Sequence, residues 1–292
     1  QGALLGSKDV GGDRRRLRRE LKQLQKMGVT NLRILVGAEG PDDQPHRVTP
    51  ALQTASGQYN ETLFDGLDYL LRQMKKRDLK AVLFLTNSWE WSGGFAQYLN
   101  WNGYGPIPYP QENTWPTFMQ YLGQYYVCPP CQEQFFQHVR TVLGRTNRYT
   151  GVRYAADPTI MSWEIANEPR AFSTHNLPAM QLWLEATAML IKSIDPNHLV
   201  TTGSEGAWGC ENSLDWFERM HALPGIDYMT VHIWPKNWSW IDAQDIPGTL
   251  DTAIARTNAY LDLHLAVAQR LQKPLVLEEF GRPRDGHVTP KD

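Results

Sequence analysis

Apolar positions along the chain keep changing their period. From Asp13 onward Leu17, Leu21, Leu24 and Met27 recur at helical spacing inside an arginine-rich run, and Gly28 follows as a stop, so a helix with a solvated basic face is predicted. Next comes 31–37, a short apolar run of strand length between turn residues. Its one charged member, Arg33, sits where a buried strand should be apolar and therefore requires an anionic partner. The unit then repeats. Helical patterns at about 61–77, 132–147, 179–194, 214–221 and 250–271 each precede an apolar strand, at 80–86, 159–166, 199–203, 228–234 and 275–280. Strands each introduced by a helix, with no internal sequence repeat, make an α/β protein with a parallel sheet covered by helices. Periodicity leaves two forms open, a doubly wound sheet and a closed barrel.

A chain of 292 residues with 41% hydrophobic content can bury one large core, so residues 1–292 are read as a single domain. A closed eight-stranded barrel needs two strands more than the six counted, and neither the segment before Asp13 nor the one after Gly281 offers one. The stretch 282–292 reads as loop and stops, so the ends are expected to be truncated. The longest irregular stretch, 86–130, holds Trp89, Trp91, Tyr98, Trp101, Tyr104, Tyr109 and Trp115 among several glycines. A loop of that length is expected to serve function, on the C-terminal face of the sheet; a self-packed surface excursion is the alternative. With 11 Trp and 12 Tyr in the chain, such rings offer stacking faces for sugars, although large aromatics also fill cores.

A formal net charge of −2 supplies no field for a phosphate backbone or an anionic membrane, so neither nucleic acid nor membrane is expected as a partner. No run approaches the roughly 18 apolar residues of a membrane span, the first five residues are too short for a signal peptide, and a soluble monomer is expected. Three cysteines allow at most one bridge, and Cys128-Pro-Pro-Cys131 with distant Cys210 lacks the fourth ligand of a structural zinc site. The two prolines suit a loop better than a redox motif. No metal-ligand spacing, nucleophile elbow or phosphate-binding glycine loop is present, and no cofactor is expected.

Two glutamates stand apart. Asn167-Glu168-Pro169 follows directly on a strand, and Glu279 closes the strand 275–280 just before a glycine, so both carboxylates are placed at strand C-terminal ends, where barrels hold their chemistry. Cleaving a glycosidic bond needs one carboxylic acid to protonate the leaving oxygen and one carboxylate to attack or stabilise the sugar centre. The two environments must differ so that one keeps its proton and the other stays ionised. Arg33 is a candidate for keeping Glu279 ionised. Glu278, by two-residue alternation, is expected to face the surrounding helices. His232 and Trp234, two apart on one strand, face the same way and are expected beside the carboxylates, with Trp238 and Trp240 in the following loop.

The segments Ser162-Trp-Glu-Ile-Ala-Asn-Glu-Pro-Arg170, His232-Ile-Trp-Pro235 and Pro274-Leu-Val-Leu-Glu-Glu-Phe-Gly281 resemble the retaining endo-β-1,4-mannanases of glycoside hydrolase family 5. So do Leu32-Arg-Ile-Leu-Val-Gly-Ala-Glu-Gly40 and Trp91-Ser-Gly-Gly94, and the resemblance runs from about Arg14 to Arg284. It implies a (β/α)8 TIM barrel, here lacking the family's first and last strands. It also implies that Glu168 is the acid/base and Glu279 the nucleophile, with Asn167 at the sugar 2-hydroxyl and Arg33 bracing the nucleophile. By the same matching Arg170 reaches a leaving-group-side mannose and Glu205 another sugar hydroxyl. Trp89, Trp91 and Trp101 complete the expected substrate-binding set. One departure is Trp234, where many members carry a tyrosine whose hydroxyl bonds the nucleophile; an indole N–H is expected to substitute.

The expected activity is hydrolysis of β-1,4 linkages in mannan, glucomannan or galactomannan. A related β-1,4-glucanase and a catalytically silent glycan-binding protein remain the alternatives. A polymeric substrate implies a secreted or periplasmic protein, in keeping with the glycosylation patterns Asn60-Glu-Thr62 and Asn237-Trp-Ser239.

Overall fold

A computed structural model describes residues 2–283 of the chain; positions 284–292, in the expected C-terminal loop, lie outside the described residues. Six parallel strands run in chain order around the molecule: β1 (Asn31–Leu35), β4 (Lys80–Phe84), β5 (Ile160–Glu164), β6 (Leu199–Thr201), β7 (Met229–Ile233) and β8 (Leu275–Phe280). Strands β1-β4-β5-β6 form one continuous parallel ladder and β7-β8 another. The two are joined across β6 and β7 by Asp227 N–H to the Val200 carbonyl at 2.8 Å and by Thr201 Oγ1 to the Tyr228 carbonyl at 2.9 Å. A doubly wound sheet reverses its strand order at a switch point; this one never does, which is the order of a (β/α) barrel. Among the described residues the arc stays open between β1 and β8, with Val276 and Leu277 of the outer strand 40% and 38% exposed. A small antiparallel pair, β2 (Gln53–Ala55) and β3 (Gln58–Tyr59), follows β1.

The helices start and stop where the side chains dictate. Asp13 caps α2 (Arg14–Lys26) by accepting from the Arg15 and Arg16 amides, and Leu17 and Leu21 are its buried residues. Asn60 caps α3 (Glu61–Lys75), which buries most of its length, while α1 (Gly2–Gly6) lies against it. α7 (Leu177–Ile194), α8 (Leu214–His221) and α9 (Ile246–Leu271) precede β6, β7 and β8 in turn.

The stretch 86–130 departs from its expected loop form. It contains α4 (Gly94–Trp101), α5 (Trp115–Gly123) and two short 3-10 turns, Glu90–Ser92 and Gln124–Val127. Phe95, Tyr98 and Leu99 of α4 are wholly buried at helical spacing, with Phe95 stacked on Tyr125 at 4.1 Å and Trp183 edge-on at 5.3 Å. Nor do the two prolines sit in a loop. They occupy the first turn of α6 (Pro129–Gly144), where a missing N–H costs nothing, and Cys128 and Cys131 are bridged across that turn. Cys210 is free and buried.

Candidate active site

The loop after β5 is stitched to the strand ends on both sides. Asn167 N–H bonds the Thr86 carbonyl at 2.8 Å and Glu168 N–H the Gly203 carbonyl at 2.9 Å. Glu168 itself has φ +48°, a left-handed conformation that is unusual for a glutamate and is held by these flanking bonds. Its carboxylate turns inward. Oε1 meets His232 Nδ1 at 2.8 Å and Oε2 accepts the Trp89 indole N–H at 2.5 Å.

Glu279 comes from the end of β8. Arg33 Nη1 donates to its Oε1, and the Trp234 indole N–H reaches Oε2 at 3.2 Å. One carboxylate oxygen each from Glu168 and Glu279, and a ring nitrogen of His232, lie within 4.8 Å of one another. That set could surround a cation geometrically, and within it His232 Nδ1 is hydrogen-bonded to Glu168.

Arg33 is the hub of the floor. Its guanidinium lies over the Phe84 ring at 4.5 Å; Nε bonds Glu164 Oε2 at 2.8 Å, and Nη2 bonds both Glu164 Oε1 and, at 2.8 Å, Asn167 Oδ1. The anionic partner that a charged strand residue requires is thus first of all Glu164, fully buried on β5, and then Glu279. Glu164 was missed in the sequence, although the rule that singled out Arg33 applies equally to it.

Burial and charge set the protonation pattern. Burial opposes a charge on His232, but the hydrogen bond to Glu168 and the surrounding carboxylates outweigh it and push the ring up to about 10. Burial likewise opposes a charge on Glu168, and the contacts from His232 and Trp89 overcome it, leaving Glu168 below the usual range. Burial raises Glu164 to about 7 against the pull of Arg33. Glu205, paired by two bonds with Arg170, is raised to about 7 by burial and by the negative charge of Glu168.

A cleft of about 610 Å³ opens over this floor, and Trp89, Trp91, Glu168, Arg170, Glu205 and Trp234 all line it. Arg33, Asn167, His232 and Glu279 stand beneath or beside them. Trp101 does not arrive. It closes α4 and packs edge-on against Tyr98, because the helix that replaces the expected loop carries it away from the strand ends. Trp115, Trp208 and Trp238 join the lining instead, with Trp208 stacked on Trp238 at 5.3 Å. Glu278 does not face the helices. β7 and β8 slip by one position between Val231 and His232, and this bulge turns Glu278 toward Arg33 and His232, each 3.6 Å away.

The profile of GH family 5 beta-mannosidase-like proteins matches residues 1–291. The chain belongs to glycoside hydrolase family 5. It is 33% identical over 244 residues to mannan endo-1,4-beta-mannosidase 7 of Arabidopsis thaliana, covering 80% of this chain and 53% of that protein. It is 34% identical over 254 residues to mannan endo-1,4-beta-mannosidase 1 of Oryza sativa subsp. japonica, with the same 80% and 53% coverage. The chain therefore spans about half the length of the curated relatives it matches. Among solved structures, a glycoside hydrolase family 5 mannosidase from Rhizomucor miehei superposes with a TM-score of 0.89 at 41% identity, over 100% of this chain and 69% of that one. The hyperthermostable endo-1,4-beta-D-mannanase of Thermotoga petrophila gives 0.71 at 25% identity, over 98% and 79%. These relatives bear out the family resemblance and the barrel architecture read from the sequence.

Proposed function

We propose that the protein hydrolyses β-1,4-mannosidic bonds within mannan, glucomannan or galactomannan, with retention at the anomeric carbon. The observation that carries this reading is the spacing of the two carboxylates. Carboxylate oxygens of Glu168 and Glu279 within 4.8 Å of each other suit the close pair, roughly 5 to 5.5 Å apart, of a double displacement. Glu279, bonded by Arg33 and Trp234, attacks the anomeric carbon as the glycosidic C–O bond breaks. The leaving oxygen takes a proton from Glu168. His232 Nδ1, 2.8 Å from Glu168 Oε1, is the neighbour with which Glu168 shares that proton. In the second step Glu168 accepts a proton from water, whose oxygen displaces Glu279 from the sugar. Trp89, Trp91 and Trp234 supply stacking faces along the cleft, and the Arg170–Glu205 pair presents hydrogen bonds to hydroxyls.

Turnover of galactomannan and glucomannan, with product anomers followed by NMR, tests this. Retention with loss of activity in Glu279→Ala is expected. Activity on carboxymethylcellulose but not on mannan would assign the protein to the β-glucanases, and binding of mannohexaose without turnover would make it a lectin.

A second reading has its own support: the Rhizomucor miehei relative, which aligns with the whole chain, is described as a mannosidase rather than an endo-mannanase. Mannohexaose distinguishes the two. Internal cleavage gives short oligosaccharides from the outset, whereas an exo-acting enzyme releases mannose alone. Secretion is proposed alongside, supported by a polymeric substrate and by the Cys128–Cys131 bridge, which suits an oxidising compartment.

A further inference from the structure

Glu278 owes its place in the barrel to one irregularity. Leu277 pairs with Val231 and Glu279 with His232, so Glu278 is the extra residue of a bulge, and two successive carboxylates turn inward. Its side chain is 6% exposed, and its Oε2 lies 3.6 Å from His232 Nε2 and 3.6 Å from Arg33 Nε. Glu278 Oε2 and His232 Nε2 are both buried and neither has a hydrogen-bond partner. Arg33 Nε is already bonded to Glu164, so the imidazole N–H is the donor that Glu278 can still gain. The other charged or titratable groups around Glu278 are Glu164 on β5, Tyr228 just before β7 and Glu279 beside it on β8.

We propose that Glu278 is a positioning residue of the reaction centre: from the side of the ring opposite Glu168, it keeps His232 charged and turned so that Nδ1 donates to Glu168. The inference rests on the two-glutamate reading above. The His232–Glu168 pair must enter the reaction with one proton. That proton passes from Nδ1 to Glu168 and on to the leaving oxygen, and it returns through Glu168 from the attacking water. A carboxylate on the far nitrogen raises the pH up to which the pair holds it. Glu278 touches neither substrate nor reacting atoms and acts only through the ring.

The decisive measurement is the titration of His232, followed by ¹⁵N NMR of the imidazole nitrogens in the parent and in Glu278→Gln, which removes the charge and keeps the shape. The midpoint is expected to fall by about one pH unit or more, a tenfold loss of proton affinity. Glu278→Asp, with the charge drawn back by one methylene, should fall by less, and it serves as the test variant should the glutamine form not fold. An unchanged His232 midpoint in a folded variant overturns the proposal. As a second readout, the basic limb of kcat/KM for β-mannoside hydrolysis should move to lower pH by the same amount in Glu278→Gln, and an unmoved limb overturns the role in the reaction. A parent that titrates as described yet cleaves no mannoside refutes the proposed function instead, since the NMR titration decides the coupling without turnover.

Discussion

Glu168 and His232 are joined by a single 2.8 Å hydrogen bond, Oε1 to Nδ1, at the inner face of the barrel, where the ring has no exposed surface. They lie 64 positions apart in sequence, one in the loop after β5 and the other on β7, so the folded barrel alone brings them together.

This pair makes stability depend on pH in a definite direction. His232 is raised to about 10, whereas in the unfolded chain a histidine titrates at about 6.5. Its contribution is therefore full below about pH 6.5 and is lost as the pH rises toward about 10. Glu168 is lowered, so its contribution is present above the usual glutamate value of about 4.3 and is lost as the pH falls through its folded value. Thermal unfolding from about pH 5 to 10 should show the parent losing Tm on the alkaline side more steeply than His232→Asn. Parallel profiles would mean that the ring is not held charged.

Trp234 offers its indole N–H to Glu279. Its Nε1 lies 3.2 Å from Glu279 Oε2. A hydrogen bond to a charged group contributes about 1.5 to 3 kcal/mol, and about 1.4 kcal/mol is tenfold in rate. Trp234→Phe keeps most of the ring and deletes the donor, so kcat/KM on mannohexaose should drop roughly ten- to hundredfold with Tm nearly unchanged. No drop would show that the indole acts only by stacking.

Away from the cleft, Asp68 on α3 is wholly buried and receives Arg145 through Nε at 3.1 Å and Nη2 at 2.9 Å, with the Tyr154 hydroxyl at 2.5 Å. Removing Asp68 leaves Arg145 only the exposed Glu61, 3.0 Å away, and breaking such a buried pair costs about 3 to 5 kcal/mol. Asp68→Ala should therefore lower the urea midpoint far more than a surface Asp→Ala such as Asp242→Ala. Equal effects would show that water rehydrates Arg145.

How far the site could be read from the sequence follows from how local its causes are. Asn167-Glu168 and Glu279 were legible because a polar residue at the end of an apolar run has few structural reasons to be there, and β5 and β8 formed where the runs said. Glu278 was not, since two-residue alternation holds only while the ladder keeps register, and the slip at Val231/His232 depends on a strand 46 positions away (278 − 232). The stretch 86–130 hid its helices behind glycines. Gly94 starts α4 at φ +55°, where a Cβ would stand 2.0 Å from the Asn87 carbonyl oxygen, so that glycine serves close approach rather than a loop. The apolar spacing of Phe95, Tyr98 and Leu99 was present in the sequence all along, and the aromatics divided accordingly. Phe95 and Tyr98 fill the core, Trp89, Trp91 and Trp115 line the cleft, and Trp101 ends α4 away from it.

Gly281 offers a test of what supports Glu279 that leaves every polar group of the site in place. It follows β8 directly, its N–H bonds the Ile233 carbonyl at 3.2 Å, and a Cβ built there would lie 2.4 Å from Cζ3 of Trp234 and 3.1 Å from Cε3. No carbon pair tolerates that approach, and the backbone on either side is tied to β7, so the indole must move. Moving it withdraws Nε1 from Glu279. Gly281→Ala should thus reproduce the loss in kcat/KM of Trp234→Phe, while Gly281→Ala combined with Trp234→Ala, where the ring is gone, should be no worse than Trp234→Ala alone. That coupling is what a double-mutant cycle reads for residues in direct contact. Additive losses would show that the alanine acts through the β8 backbone and not through the ring.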